Sequence, residues 1–212
     1  MNTKAWTQLG LVLVLCATAA ALFMRGGGQP KIDFSPYRAL GTIAAEEVSK
    51  ALGGQGRIIV VLPESGPDPD PVQDAQIDAF KTGLTTVGKV EVANLFPVAM
   101  TPFERMGTGG AMPPGQFTTL KTKHPDVAAY VFFMGFPAVS ESEFAALKAG
   151  PKLMVISPPL PGYEVLLREG VFQFAIVSKT VAADAGQAQA STLREVFDQE
   201  YVILRPDTGA GK

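Results

Sequence analysis

Five short apolar runs alternate with segments of helical periodicity along this chain, and that alternation limits the folds open to it. The runs are RIIVVLP (57–63), KVEVANLF (89–96), VAAYVFFM (127–134), KLMVIS (152–157) and VFQFAIVS (171–178). Each is short and rich in β-branched and aromatic residues, which marks strands rather than buried helices. A helix is predicted over 36–52, where Leu40, Ile43, Ala44, Val48, Ala51 and Leu52 recur at three- and four-residue spacing and Gly53-Gly54 ends the pattern. A second is predicted over 71–86, with Asp70 capping it, Pro71 in its first turn and Ile77, Phe80 and Leu84 on its buried face. Shorter helical patterns cover 116–123, 140–149, 163–170 and about 188–199. Strands separated by helices at this spacing join through right-handed crossovers into a parallel sheet covered on both faces. The chain is therefore predicted to be a three-layer, doubly wound α/β domain with a mostly parallel five-stranded sheet. YVILRP (201–206) is a candidate sixth, edge strand.

The first 25 residues stand apart. Ala5 to Met24 carry no charge and are bracketed by Lys4 and Arg25, and twenty helical residues span roughly the 30 Å of a hydrocarbon core. The alternative is a cleaved signal peptide, since Ala17-Thr18-Ala19 and Ala19-Ala20-Ala21 both fit a small-residue cleavage site. Cutting there would leave an apolar Leu-Phe-Met start, which favours a retained anchor. Leu15 sits where a lipoprotein signal around Cys16 would want a small residue. The expected organisation is a membrane anchor or signal segment (1–25), a Gly-rich linker (26–35), one α/β lobe (36–206) and a disordered tail (207–212). The expected setting is the inner (cytoplasmic) membrane, single-pass through residues 5–24, with the domain in the periplasm or extracytoplasmic space.

The net charge of −2 excludes a strongly basic nucleic-acid binder, so no nucleic-acid partner is expected. The single cysteine lies in the N-terminal segment, so no disulfide framework or thiolate metal cluster can form within one chain. Glu64, Asp68, Asp70 and Asp74 gather after the first strand, but the alternating prolines hold that loop extended and lack the glycine turn of a calcium loop. GTGGAMPPG (107–115) neither joins a first strand to a helix nor leads to a placed acid, so it reads as a mobile loop rather than a dinucleotide site. His124, the only histidine, precedes Pro125 at a helix end and has no nucleophile signature nearby. Ser157 and Ser178 end strands and read as turn residues. No metal, cofactor or enzymatic activity is expected.

Several stretches carry a family resemblance: GTIAAEEVSKALGGQG (41–56), RIIVVL, IDAFKTGL, VEV, HPDVAAYVFF, GPKLMVIS, LLREGVFQFAIVSK and FDQEYVILRPD. Together they resemble the C-terminal lobe of type I periplasmic sugar-binding proteins, a lobe shared with lactose-repressor-type regulators. The resemblance implies a doubly wound lobe with a ligand outside the carboxyl ends of the strands. It also implies polar ligand-holding residues that are missing here. The family's R-x-x-G-F reads Gln76-Ile77-Asp78-Ala79-Phe80, its Asn or Asp after the third strand is Gly135-Phe136-Pro137, and its aspartate after the fourth is Ser157-Pro158-Pro159. A buried sugar hydroxyl left unpaired costs about 1–3 kcal/mol, so losing three such groups would cost several kcal/mol, enough to abolish ordinary sugar affinity. The partner lobe such proteins close upon is also missing.

Twelve of the seventeen prolines (63, 67, 69, 71, 97, 102, 113, 114, 137, 158, 159 and 161) fall in the loops after the first four strands. Proline removes backbone donors and fixes φ, giving stiff loops. The first expectation is therefore a non-enzymatic accessory or scaffold subunit. It would dock an unidentified envelope protein through Phe96, Phe103, Phe136, Pro137, Pro158, Pro159 and Leu160. The alternative is a small-molecule, sugar-like binder of an ABC-type uptake or sensing system. It would work as a homodimer of lobes, with Glu64, Ser65, Gln76, Ser157 and Lys179 converging on the ligand.

Overall fold

The computed structural model describes residues 32–66, 68–156, 163–179 and 190–206. The anchor reading of 5–24, the tail 207–212, and Ser157, Pro158, Pro159 and Leu160 lie outside those residues. Among the described residues no helix is long and apolar enough to cross a membrane.

The elements run α1 (Ser35–Ala51), β1 (Gln55–Pro63), α2 (Pro71–Val87), β2 (Lys89–Val98), α3 (Pro102–Thr108), α4 (Pro114–Lys123) and β3 (Ala129–Phe132). A 3₁₀ turn (Glu141–Glu143), α5 (Phe144–Ala149), β4 (Lys152–Ile156), α6 (Tyr163–Arg168), β5 (Phe172–Ser178), α7 (Leu193–Glu200) and β6 (Tyr201–Leu204) complete the order. The sheet order is β2-β1-β3-β4-β5-β6. β1 to β5 are parallel, and β6 closes the sheet antiparallel to β5, which makes six strands from the five expected plus the candidate edge.

Alternation along each strand sorts its side chains to two faces. Ile58, Val60 and Leu62 of β1 pack beneath α1, α2 and α7, against Leu40, Val48, Phe80, Leu84 and Phe197. Ile59 and Val61 face the other layer, against Phe117 and Leu120 of α4, Phe144 of α5 and Leu167 of α6. Each fully buried residue of this size contributes about 1.5–3 kcal/mol, so the two apolar layers are what hold the sheet between its helices. α1 and α2 meet at backbone distance. A Cβ on Gly41 would lie 2.2 Å from the Gln76 carbonyl oxygen, and one on Gly83 would lie 2.7 Å from the Ala45 Cβ.

Local signals placed the long helices well. Asp70 accepts hydrogen bonds from the Val72 and Gln73 amides at 3.0 and 3.1 Å, and Gly53 and Gly54 take positive φ at the exit of α1. Two expectations change. α3 was not anticipated, because seven residues that bury nothing leave no periodic signal. Instead, a capping box builds it: the Glu104 amide donates to the Thr101 hydroxyl at 3.2 Å, and the Thr101 amide donates back to the Glu104 carboxylate at 2.8 Å. The 107–115 loop is pinned rather than mobile: Ala111 bridges to Gly135, the Met112 amide donates to the Gly135 carbonyl at 2.8 Å, and both Ala111 and Met112 are buried.

Candidate functional site

In a parallel sheet the carboxyl ends of the strands are left open by the crossovers, and here they carry a cavity of about 160 Å³. Its floor follows from the alternation. Phe133, Ile156 and Ile176 continue the face of β3, β4 and β5 that lies beneath α1. Ser178 follows Phe174 and Ile176 on that face, and the β5–β6 register sets Tyr201 directly beside it. The first turn of α1 supplies Tyr37 and Leu40, and α2 supplies Gln76. Two phenols, one amide and one hydroxyl thus meet over an apolar floor. The order of these residues in the chain is far from their order in space.

Burial pushes the Tyr201 phenol up to about 12, with the nearby Tyr37 and Glu200 adding to the shift. A phenol raised in this way favours the fold fully below its ordinary pKa near 10 and loses that contribution only as pH climbs towards about 12. Around neutral pH the Tyr201 hydroxyl is therefore protonated, able both to donate and to accept. Such a set suits a neutral polyol better than an ion.

Of the polar residues expected to converge, Gln76 lines the cavity and the other described ones do not. Glu64 is exposed, and the Ser65 hydroxyl accepts from the Gln73 side-chain Nε2 at 3.4 Å, as part of the β1 exit. Lys179 is held at the sheet edge, its amide donating to the Glu200 carbonyl at 2.7 Å and its ammonium to the Asp198 carbonyl. Sequence reasoning missed Tyr37, Ser178 and Tyr201 as site residues. The period-two run Phe174, Ile176, Ser178 was the available signal for the second of these.

The expected docking residues divide. Phe103 is exposed and Phe96 half-buried. Phe136 and Pro137 are buried, which corrects their place on an open face. The Phe136 ring packs edge-to-face at 5.0–5.1 Å against Phe117, Phe132 and Phe172, because β3 leaves the sheet at its centre, under the α4 layer. Beside it a shallower groove of about 520 Å³ is bordered by Pro137, Val139, Phe144 and Leu166, with Thr108, Glu141 and Tyr163 also in its lining. His124 caps α4. Its carbonyl accepts from the Tyr130 hydroxyl at 2.6 Å, and its ring stacks edge-on against Phe96 at 6.5 Å.

The sequence matches no protein-family profile and no curated protein. Solved structures do share the fold. An ABC transporter solute-binding protein from Burkholderia graminis, in complex with D-arabinose, matches 82% of this chain at 19% identity and a TM-score of 0.56. The glucose-galactose binding protein GanP from Geobacillus stearothermophilus matches 81% at 10% identity and a TM-score of 0.52. An ABC transporter periplasmic solute-binding protein from Actinobacillus succinogenes, with bound D-allose, matches 82% at 12% identity and a TM-score of 0.50. The domain therefore has a periplasmic-binding-protein-like α/β fold. The match takes in only 60–61% of each of those chains.

Proposed function

We propose that this chain is a non-enzymatic solute-binding lobe, held extracytoplasmically by the 5–24 anchor, that takes a small sugar-like polyol at the strand ends. The observation that carries the reading is the meeting of Tyr37, Gln76, Ser178 and Tyr201 over an apolar floor. That the fold is shared with proteins solved with D-arabinose and D-allose supports the same choice of ligand class. Gln76 stands where the resembled family places its ligand-holding arginine, so a neutral amide takes the place of a charged fork. A cavity of about 160 Å³ is smaller than the ~300 Å³ or more of sites that enclose a small molecule. One lobe then supplies half a site, and a second copy facing it supplies the rest.

Calorimetric titration of the full-length protein with a panel of pentoses and hexoses tests this. Binding should appear, and Gln76→Ala should weaken it by roughly tenfold, the effect of losing one hydrogen bond worth ~1.4 kcal/mol. No heat from any sugar at millimolar concentration would sink the reading.

A second reading, docking of an envelope protein on the strand-end loops, is favoured by the Pro137–Leu166 groove. Because Phe136 is core, its substitution cannot test it. Val139→Asp is the cleaner probe, and a partner retained unchanged by that variant in a membrane pull-down would count against the groove.

A further inference from the structure

We infer that this chain pairs with a second copy of itself edge to edge, through the Lys89–Val92 stretch of β2, in antiparallel register about Val90. β2 is an edge strand and, at ten residues, the longest of the described strands. An edge of that length presents a row of main-chain donors and acceptors that another strand can take up. Its two halves differ in whether that row is blunted. The Lys89 amide donates to the Gly54 carbonyl at 2.7 Å, so the main-chain groups of Lys89 and Glu91 turn inward, to β1. Those of Val90 and Val92 therefore turn outward. Beyond them the register slips: Val92 pairs with Ile58 and Asn94 with Ile59, which leaves Ala93 as a bulge. Past the bulge the Val98 carbonyl accepts from the Glu64 amide at 3.0 Å, so Pro97 takes an outward position, where it offers no N–H. The far half is thus closed to a further strand, and the near half is open.

The occupant follows from the charges on the open half. Lys89-Val90-Glu91 is its own complement under antiparallel reversal. With Val90 on the two-fold axis, its outward groups meet those of the partner's Val90, and Lys89 lies directly opposite the partner's Glu91, twice over. Lys89 and Glu91 are both exposed, and neither forms a salt bridge among the described residues. Centring the pair on Glu91 sets like charges together, and centring it on Val92 runs into the Ala93 bulge, so one register remains. Gly88 continues the strand with an extended backbone, φ 177° and ψ −162°, and falls opposite the partner's Val92. A groove of about 490 Å³ runs along the same stretch, bordered by Leu84 and Thr85 of α2 and by Val90 and Val92. Both valines belong to the apolar layer under α2, so the partner's Val92 comes to that side of the joined sheet, beside the groove. The two-fold points the carboxyl ends of the two sheets in opposite directions. It leaves the cavity between β3 and β6 untouched, so this pairing is distinct from the facing copy that completes the ligand site.

The test uses the full chain in mild detergent, without sugar. Cys16 is the only cysteine, so Cys16→Ser gives a background in which Lys89→Cys and Glu91→Cys are made as separate chains. Directly opposed residues of this kind have Cα atoms ~4.5 Å apart, within disulfide reach, whereas position 89 lies too far from position 89 of the partner, and 91 from 91. Oxidised with copper phenanthroline, the two chains mixed should give several-fold more disulfide-linked pair on a non-reducing gel than either chain alone. Adding Lys89→Glu to the Glu91→Cys chain sets a carboxylate against the partner's Glu91, and should return the yield to that of the single chains. A mixture that links no better than its components overturns the proposal, in favour of unspecific encounter where all link and of no edge pairing where none does. A mixed link that survives the added Lys89→Glu overturns the charge-matched register. The sugar titration is read independently, so failure of either result leaves the other standing.

Discussion

Phe136 and Phe103 follow neighbouring exits of one sheet, four residues after β3 and five after β2, yet one is 6% and the other 85% exposed. Both loops carry a proline beside the phenylalanine, so local composition does not separate them. Position in the sheet does. β3 lies between β1 and β4, and its exit passes under helices that can cover it. There Phe136 finds three rings at 5.0–5.1 Å, and the 107–115 loop folds over it through the Met112–Gly135 hydrogen bond. β2 is an edge strand, with β1 as its neighbour in the sheet. Proline-stiffened strand exits are thus neutral in themselves. The β3 exit becomes core, and the β2 exit becomes surface.

The largest expected effect tests the central exit. Phe136→Ala should destabilise the fold by about 3–5 kcal/mol in urea unfolding, the usual range for a buried phenylalanine. A loss under 1 kcal/mol would break the contrast. Met112→Ala should cost about 2–5 kcal/mol by the same measurement, since Met112 packs the cover over that exit. The edge exit should respond instead to acid. The backbone and side-chain hydrogen bonds from Thr101 hold the Glu104 carboxyl below the usual range. A carboxylate lowered in this way supports its helix above its ordinary pKa, near 4.3, and stops doing so as pH falls through the lowered value. Protection of the amides across 103–108 should therefore fall in acid, once pH drops below the ordinary carboxylate range, while β3 stays protected. Equal protection at both exits would show that α3 is held by something other than its cap. At the small end, Phe103→Ala should shift global stability by no more than ~0.5 kcal/mol, as expected for a side chain this exposed.

The sequence disclosed what depends on neighbours along the chain. The β-branched run Ile58 to Leu62 marked a strand covered on both faces, Gly53-Gly54 ended α1, and Asp70 opened α2. It did not disclose strand order, and strand order decided whether Phe136 turned in or out. Lys179 looked available for a ligand because nothing local revealed that α7 would return to take both its amide and its ammonium. Tyr37 and Tyr201 come from opposite ends of the domain and meet only because β6 closes the sheet beside β5. Gln76 was legible, through the position it occupies in the family pattern.

The absence of a Cβ at Gly41 and Gly83 has a consequence for how a ligand would be held. It lets α1 and α2 interlock as one stiff body, and that body carries both Tyr37 and Gln76. Their spacing is settled when the chain folds, so a ligand need not freeze it, and less conformational entropy is lost on binding. Whatever adjustment the site makes must then come from the opposite wall, where Ser178 and Tyr201 sit on the last two strands.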